Sequence, residues 1–283
     1  MLALLRTLIA KALHLDQGLR PVILHLTVTN RCNSRCSACN LWQETDKKDI
    51  SLETIDRYRQ SSLAKHLRIL DITGGEPFLC DLPGMIGRLN NGKIRTLIIS
   101  TNASLPEKIV QDLAAIRKIT KAQILLNVSL DGIEDVHDQI RGIPESYAKA
   151  MATVSRLNEL ALNRCAIIWK MTVIKKNIDQ MIPCFERAKN LGIAFSCKPG
   201  AHYEFLKNTT SNFQLTTAEY ALIIENLKQI IRHMENQQNF MHAPFWERLY
   251  RITNIQFHKE LIAHYQLLKN GEEKMPFPCY ASF

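Results

Sequence analysis

Residues 67–77 read LRILDITGGEP. Leu67 to Thr73 form a short apolar run, and a Gly-Gly pair ends it. A brief strand without strict polar alternation belongs in a sheet covered on both faces. Gly74 and Gly75 have no Cβ, so the backbone there can approach a ligand closely. The same unit recurs on either side. Upstream, "VILHLTV" (22–28) is a strand and "SLETIDRYRQSSLAKH" (51–66) is a helix with Ser51 as its N-cap. Downstream come a short helix at about 83–90, a strand "IRTLIIS" (94–100), and a helix that begins near Pro106. The strand "QILLNVSL" (123–130) follows, then a helix over 145–162, the strand "CAIIWKMTVI" (165–174), a helix over 178–190 and the strand "IAFSCK" (193–198). Six strands alternating with helices predict an α/β fold with a parallel sheet and right-handed crossovers.

The rest of the chain is read around that unit. A length of 283 residues suits one α/β barrel or two smaller domains, and 46% hydrophobic residues suffice for a core. The net charge of +9 permits an acidic partner, but basic and acidic residues are interspersed along helices. Residues 1–20 read as an amphipathic N-terminal helix, with Leu2, Leu5, Ile9 and Leu13 at helical spacing. It packs on the domain, or lies on a membrane surface or a partner. The segment is a poor signal peptide and too short to span a bilayer. The barrel-forming part covers 21–212 and a helical segment covers 213–275. "TTAE" (216–219) makes a capping box at the start of that segment, and a second helical stretch covers about 244–270. Eight cysteines, scattered apart from one triplet, do not form a disulfide framework, and a reducing cytoplasm fits them.

Three of those cysteines are close together. "NRCNSRCSACN" (30–40) carries Cys32, Cys36 and Cys39 directly after the first strand. A closed structural zinc site takes four ligands, and so do most iron–sulfur clusters. A three-thiol site either borrows a distant ligand or leaves one metal position open. "GGEP" (74–77) ends the second strand, "STNAS" (100–104) follows the third and "SLDG" (129–132) closes the fourth. In parallel α/β folds, ligands bind at the carboxyl ends of the strands, so these elements face one pocket.

C-x-x-x-C-x-x-C, GGEP, STN and SLDG at successive strand ends together resemble the radical S-adenosylmethionine superfamily over about 22–200. The stretch "SLDGIEDVHDQIRG" (129–142) is similar to the branch that carries SPASM or twitch-type C-terminal extensions. The resemblance implies a partial (β/α)₆ TIM-like barrel followed by a helical C-terminal segment. It implies a [4Fe–4S] cluster on Cys32, Cys36 and Cys39, with the fourth iron open to the amino and carboxylate groups of S-adenosylmethionine. One electron then gives a 5′-deoxyadenosyl radical that takes a hydrogen atom from the substrate. The implied cosubstrate contacts are Gly74, Gly75, Glu76, Pro77, Ser100, Thr101, Asn102, Ser129, Asp131 and Arg141. Glu76 would hold its turn, Asp131 would bond ribose hydroxyls or support that turn, and Arg141 would face a carboxylate. The competing reading for Arg141 is a surface ion pair, with Asp138 as a partner.

The chain departs from the family at Ala38, where an aromatic residue usually packs on the adenine; Trp42 is the nearby substitute. Cys80, Cys165 and Cys184 read as small buried hydrophobes. Cys197, near the end of the sixth strand, reads the same way or faces the pocket as a hydrogen-atom donor or extra ligand. His202, Tyr203 and Glu204 belong to a solvated loop or touch substrate. "PFPCYASF" (276–283) resembles the start of an auxiliary-cluster extension, truncated or lost here; Cys279 alone holds no cluster. The implied partners are a reductant such as flavodoxin or ferredoxin and a substrate, first a peptide or protein in maturation. Cofactor or nucleotide biosynthesis is the alternative, and a zinc-binding basic protein is the remote one. No nucleic-acid-binding signature accompanies the basic charge.

Overall fold

A computed structural model of the protein describes residues 21–200, 213–236 and 245–270. The N-terminal helix, the loop with His202, Tyr203 and Glu204, and the segment with Cys279 lie outside the described residues. Six strands form one sheet in the order of the chain: β1 (Ile23–Thr27), β2 (Ile69–Thr73), β3 (Thr96–Thr101), β4 (Gln123–Ser129), β5 (Cys165–Val173) and β6 (Ala194–Pro199). Every neighbouring pair is parallel. Helices α1 (Leu52–Gln60), α2 (Leu82–Leu89), α3 (Pro106–Ile119), α4 (Glu134–Arg141), α5 (Ser146–Leu160) and α6 (Met181–Asn190) make the crossovers, and α7 (Thr217–Glu235) and α8 (Phe245–Lys269) follow the last strand. This is the open, partial barrel that the alternation and the resemblance predicted.

The strand sequences explain the layers. Side chains of a strand alternate between faces. Leu70 and Ile72, Leu97 and Ile99, and Ile124, Leu126 and Val128 are buried against the helices. Their alternates, among them Asp71, Ser100, Asn127 and Ser129, point to the inner face. The outer face of the strands is therefore apolar, except at Thr101 where β3 ends, whereas the inner face turns polar toward the carboxyl ends. That asymmetry puts any polar ligand inside the barrel mouth. Among the described residues, no helix is long and apolar enough to cross a membrane.

Caps set the helix starts. Ser51 Oγ accepts from the Thr54 amide at 3.1 Å, and Thr216 and Glu219 form the reciprocal box at the start of α7. The helix expected over 51–66 breaks after Gln60. The Ser61 hydroxyl donates to the Tyr58 carbonyl at 2.6 Å, Ser61 is extended, and a 3₁₀ turn covers Leu63–His66. A serine that bonds the preceding turn competes with helix continuation. The strand expected to reach Leu130 stops at Ser129, and the chain bends before α4.

Register decides the fate of Cys197. It pairs with Met171, and both sit in the helix-side core, whereas its neighbour Ser196 pairs with Lys170 on the inner face. The Cys197 thiol lies 3.5 Å from His258 Nε2 on α8, and burial pushes it up to about 12. The possibility that it faces the pocket is thereby excluded: an odd-numbered position on this strand faces outward. Leu126, fully buried in β4 at the centre of the sheet, measures the core. Leu126→Ala is expected to destabilise the fold by about 2–5 kcal/mol in urea unfolding.

Candidate functional site

The cysteine loop is pinned at its base. Asn30 and Lys48 exchange hydrogen bonds across it, and the Ile50 amide donates to the Val28 carbonyl at 2.8 Å. Arg31 holds Asp49 through Nε at 2.8 Å, and the Thr29 hydroxyl donates to the same carboxylate at 2.6 Å. The loop is held from two further sides. The Gly75 and Glu76 amides donate to the Thr29 and Arg31 carbonyls, each at 2.8 Å. The Arg35 and Ser37 amides donate to the Arg141 and Ile140 carbonyls at the end of α4, at 2.9 and 2.8 Å.

These clamps give the glycines a reason in addition to the expected one. A Cβ on Gly75 would lie 2.0 Å from the Arg31 carbonyl oxygen, and one on Gly74 would lie 2.4 Å from that of Thr29. Gly142 ends α4 with φ +66°, and its Cβ would meet the Arg35 carbonyl at 2.4 Å. In each case the close neighbour is the cysteine loop. The glycines let two loops pack backbone to backbone. Gly74 and Gly75 still line the pocket on their other side.

Behind that wall sits Glu76, fully buried. Its carboxylate accepts from the Phe78 amide at 3.1 Å, the Thr101 hydroxyl at 2.8 Å and the Asn102 amide at 2.7 Å. Burial raises its pKa, and the three donors work against that shift. Asn102 continues the chain of contacts, donating to Asn33 Oδ1 at 2.7 Å and Ser34 Oγ at 3.0 Å in the cysteine loop. Glu76 and Pro77 are wall supports; Thr73, Ser100, Thr101, Asn102 and Ser129 line the cavity.

The opposite wall carries a buried ion pair. Arg141 Nη2 lies 2.8 Å from Asp131 Oδ2, and Nη1 lies 3.7 Å from Cys36 Sγ. Burial opposes the Arg141 charge, but Asp131 and the thiols outweigh it and hold the guanidinium above its usual pKa. Asp131 also accepts from the Thr172 amide at 2.8 Å, and its own amide donates to His137 Nδ1 at 3.1 Å. Asp138 is not the partner of Arg141: it accepts from Glu145, Ser146 and Tyr147 at the start of α5. Among the described residues, Arg141 Nε is buried without an acceptor, and so is Trp42 Nε1 in the same pocket.

The structure thus brings Cys32, Cys36, Cys39, Gly74, Gly75, Ser100, Thr101, Asn102, Ser129 and Arg141 to one cavity. Asp131 lies behind Arg141. Among the described residues, no three His, Cys, Asp or Glu side chains converge as the ligands of one metal ion do. The donor set nevertheless fits a cluster, which spreads its thiolates over separate irons. Burial pushes the Cys32 thiol up to about 11 and raises Cys39, so bound iron would be what holds them as thiolates. Reading by motif passed over Asn33, Ser34, Thr73 and His137. All four lie in stretches that had already been singled out, but beside the motif residues rather than among them.

The sequence pattern described as the Radical SAM superfamily matches residues 26–188. A probable GTP 3′,8-cyclase of Methanococcus maripaludis is 34% identical over 116 residues, 39% of this chain and 37% of that protein. The sporulation killing factor maturation protein SkfB of Bacillus subtilis is 23% identical over 217 residues, 75% of this chain and 50% of that one. The chain therefore spans half or less of the length of both. The solved structure of native anSMEcpe with bound AdoMet and Cp18Cys peptide shares the fold, with a TM-score of 0.59 at 15% identity, over 78% of this chain and 61% of that one.

Two outcomes follow from the site geometry. Gly75→Ala is expected to push the cysteine loop off the sheet, so iron content after anaerobic reconstitution drops to a small fraction of wild type while far-UV circular dichroism stays native. Burial, with Arg141 beside it, pushes the His137 pKa down to about 3, and burial takes His258 to about 4. The unfolded chain, with histidine near 6.5, then binds these protons first. Stability is full above about pH 6.5 and falls toward pH 3, by up to about 1.4 kcal/mol per pH unit per histidine. Urea unfolding across that window should show a shallower acid slope in His137→Asn.

Proposed function

The chain belongs to the Radical SAM superfamily, and on that premise we propose that it is a radical S-adenosylmethionine enzyme that modifies a peptide or protein during maturation. The observation that carries this reading is the convergence, on one strand-end cavity, of three thiols, a double-glycine wall and a buried arginine with an unused donor. Cys32, Cys36 and Cys39 would hold a [4Fe–4S] cluster. Arg141 is suited to the cosubstrate carboxylate through its free Nε. Trp42 supplies the aromatic surface that Ala38 does not, and its indole N–H awaits an acceptor.

The chemistry the group supplies when bound is one-electron cleavage of S-adenosylmethionine to a 5′-deoxyadenosyl radical, which takes a hydrogen atom from the substrate. The protein's own part is orientation and exclusion of water. Asp131 fixes the Arg141 fork, and Glu76 fixes the ends of β2 and β3 against each other. His137 accepts from a backbone amide through Nδ1 and stays neutral, so it moves no proton near neutral pH.

A peptide substrate is supported by SkfB, a maturation protein, and by the peptide bound to anSMEcpe. A nucleotide is the second reading, supported by the cyclase relative. A flavodoxin or ferredoxin would supply the electron, and free thiols on a reducible cluster suit the cytoplasm. The test is electron paramagnetic resonance of anaerobically reconstituted, reduced protein. A [4Fe–4S]⁺ signal that shifts when S-adenosylmethionine is added, and is lost in Cys36→Ala, is the expected result. A signal indifferent to S-adenosylmethionine would overturn the proposal.

A further inference from the structure

Past Ser129 the inner wall of the barrel changes character. Ser129 lines the cofactor cavity, and its register partner on β5 is Lys170. Paired residues of parallel strands face the same side, so Lys170 points into the barrel lumen next to the cavity. On β6, Lys170 pairs with Ser196, and Thr172 pairs with Lys198. Lys198 therefore stands on the same inner face, one step closer to the mouth. The two ammonium groups repel each other.

Neither lysine has a hydrogen bond or ion pair within 4 Å among the described residues. Asp71 attracts Lys170 from across the lumen, but its carboxylate is bonded to His25 Nδ1 at 2.8 Å. The Cys197 thiol, out of register with Lys170 on the other face of β6, also attracts Lys170, and Lys170 lowers the pKa of the neighbouring His258. Burial, reinforced by Lys198, pushes the Lys170 ammonium down to about 8. A half-buried lysine without a carboxylate, beside a second lysine, is costly to keep in a folded protein. Nothing in the packing requires it, because the core lies on the opposite face of β5.

We infer that Lys170 and Lys198 form an anion-binding subsite in the barrel lumen, beside the cofactor cavity, which receives a carboxylate or phosphate of the substrate. This inference rests on the enzyme reading above and narrows its substrate to one that presents an anionic group near the reacting centre. Two lysines are point-charge donors, suited to either oxyanion. The carboxylate would belong to an acidic or C-terminal peptide residue, and the phosphate to a nucleotide.

The full chain is titrated by calorimetry with inorganic pyrophosphate and, separately, with N-acetylglutamate. Saturable binding of at least one is expected, weakened at least about tenfold in Lys170→Met and in Lys198→Met. Lys170→Arg keeps the charge and should retain binding within a few-fold. Because Lys198 is exposed, its variant stays informative if Lys170→Met folds poorly. Binding of pyrophosphate alone assigns the subsite to a phosphate, and binding of N-acetylglutamate alone assigns it to a carboxylate. No saturable binding of either, or binding undiminished in both methionine variants, overturns the subsite. The paramagnetic resonance test reads the cluster independently. A shift with S-adenosylmethionine but no anion binding removes the subsite and leaves the enzyme reading; lysine-dependent anion binding with no such shift does the reverse.

Discussion

Two backbones touch where β1 and β2 end, and the site depends on that contact. The carbonyls of Thr29 and Arg31 occupy the positions where Gly74 and Gly75 would carry a Cβ, and the Gly75 and Glu76 amides bond to them. A loop that carries three thiols gains little by packing apolar side chains, since it has few to bury. It is held instead by main-chain hydrogen bonds, which require close approach. Gly142 repeats the device on the other flank, against Arg35. The thiols are thereby fixed relative to the sheet without any of them being used to fix it.

Around that contact the protein buries charge. Glu76 and the Asp131–Arg141 pair sit in walls where water cannot compensate them. Such groups cost desolvation, and a buried ion pair adds little net stability. What they contribute is position. Glu76 gathers the ends of β2 and β3 through three donors, and the Asp131 carboxylate gathers β5 and α4 at the end of β4 through Thr172 and Arg141, while its main-chain carbonyl accepts from Asn177. Each carboxylate joins elements far apart in sequence, so the cavity keeps its shape through hydrogen bonds rather than apolar packing. Arg141 lines the cavity and is left with one donor unspent.

The two faces of the sheet divide the labour. The outer face carries the hydrophobic core, and its register with the helices stabilises the fold. The inner face is released from that duty and varies in polarity along the lumen, from the serines beside the cysteines to the lysines of β5 and β6. A single residue of register separates the two roles. Cys197 and Lys198 are chain neighbours, yet one is core and the other faces the lumen.

Much of this was legible in the chain alone. Apolar runs bounded by glycine and polar turns marked six strands, because strands covered on both faces have no other way to be buried. The alternation with helices left a parallel sheet as the solution, and parallel strands put their ends, and the cysteine, glycine and serine motifs on them, at one mouth. What the chain could not reveal depends on contacts between distant segments. That Gly75 accommodates Arg31, that Arg141 pairs with Asp131 and not Asp138, and that Cys197 turns outward while Lys170 turns in all follow from register and loop packing. Local composition carries no record of which backbone will lie 2.0 Å from a missing methyl group. Strand identity is a property of a few consecutive residues; the neighbour across the sheet exists only once the whole sheet has assembled around it.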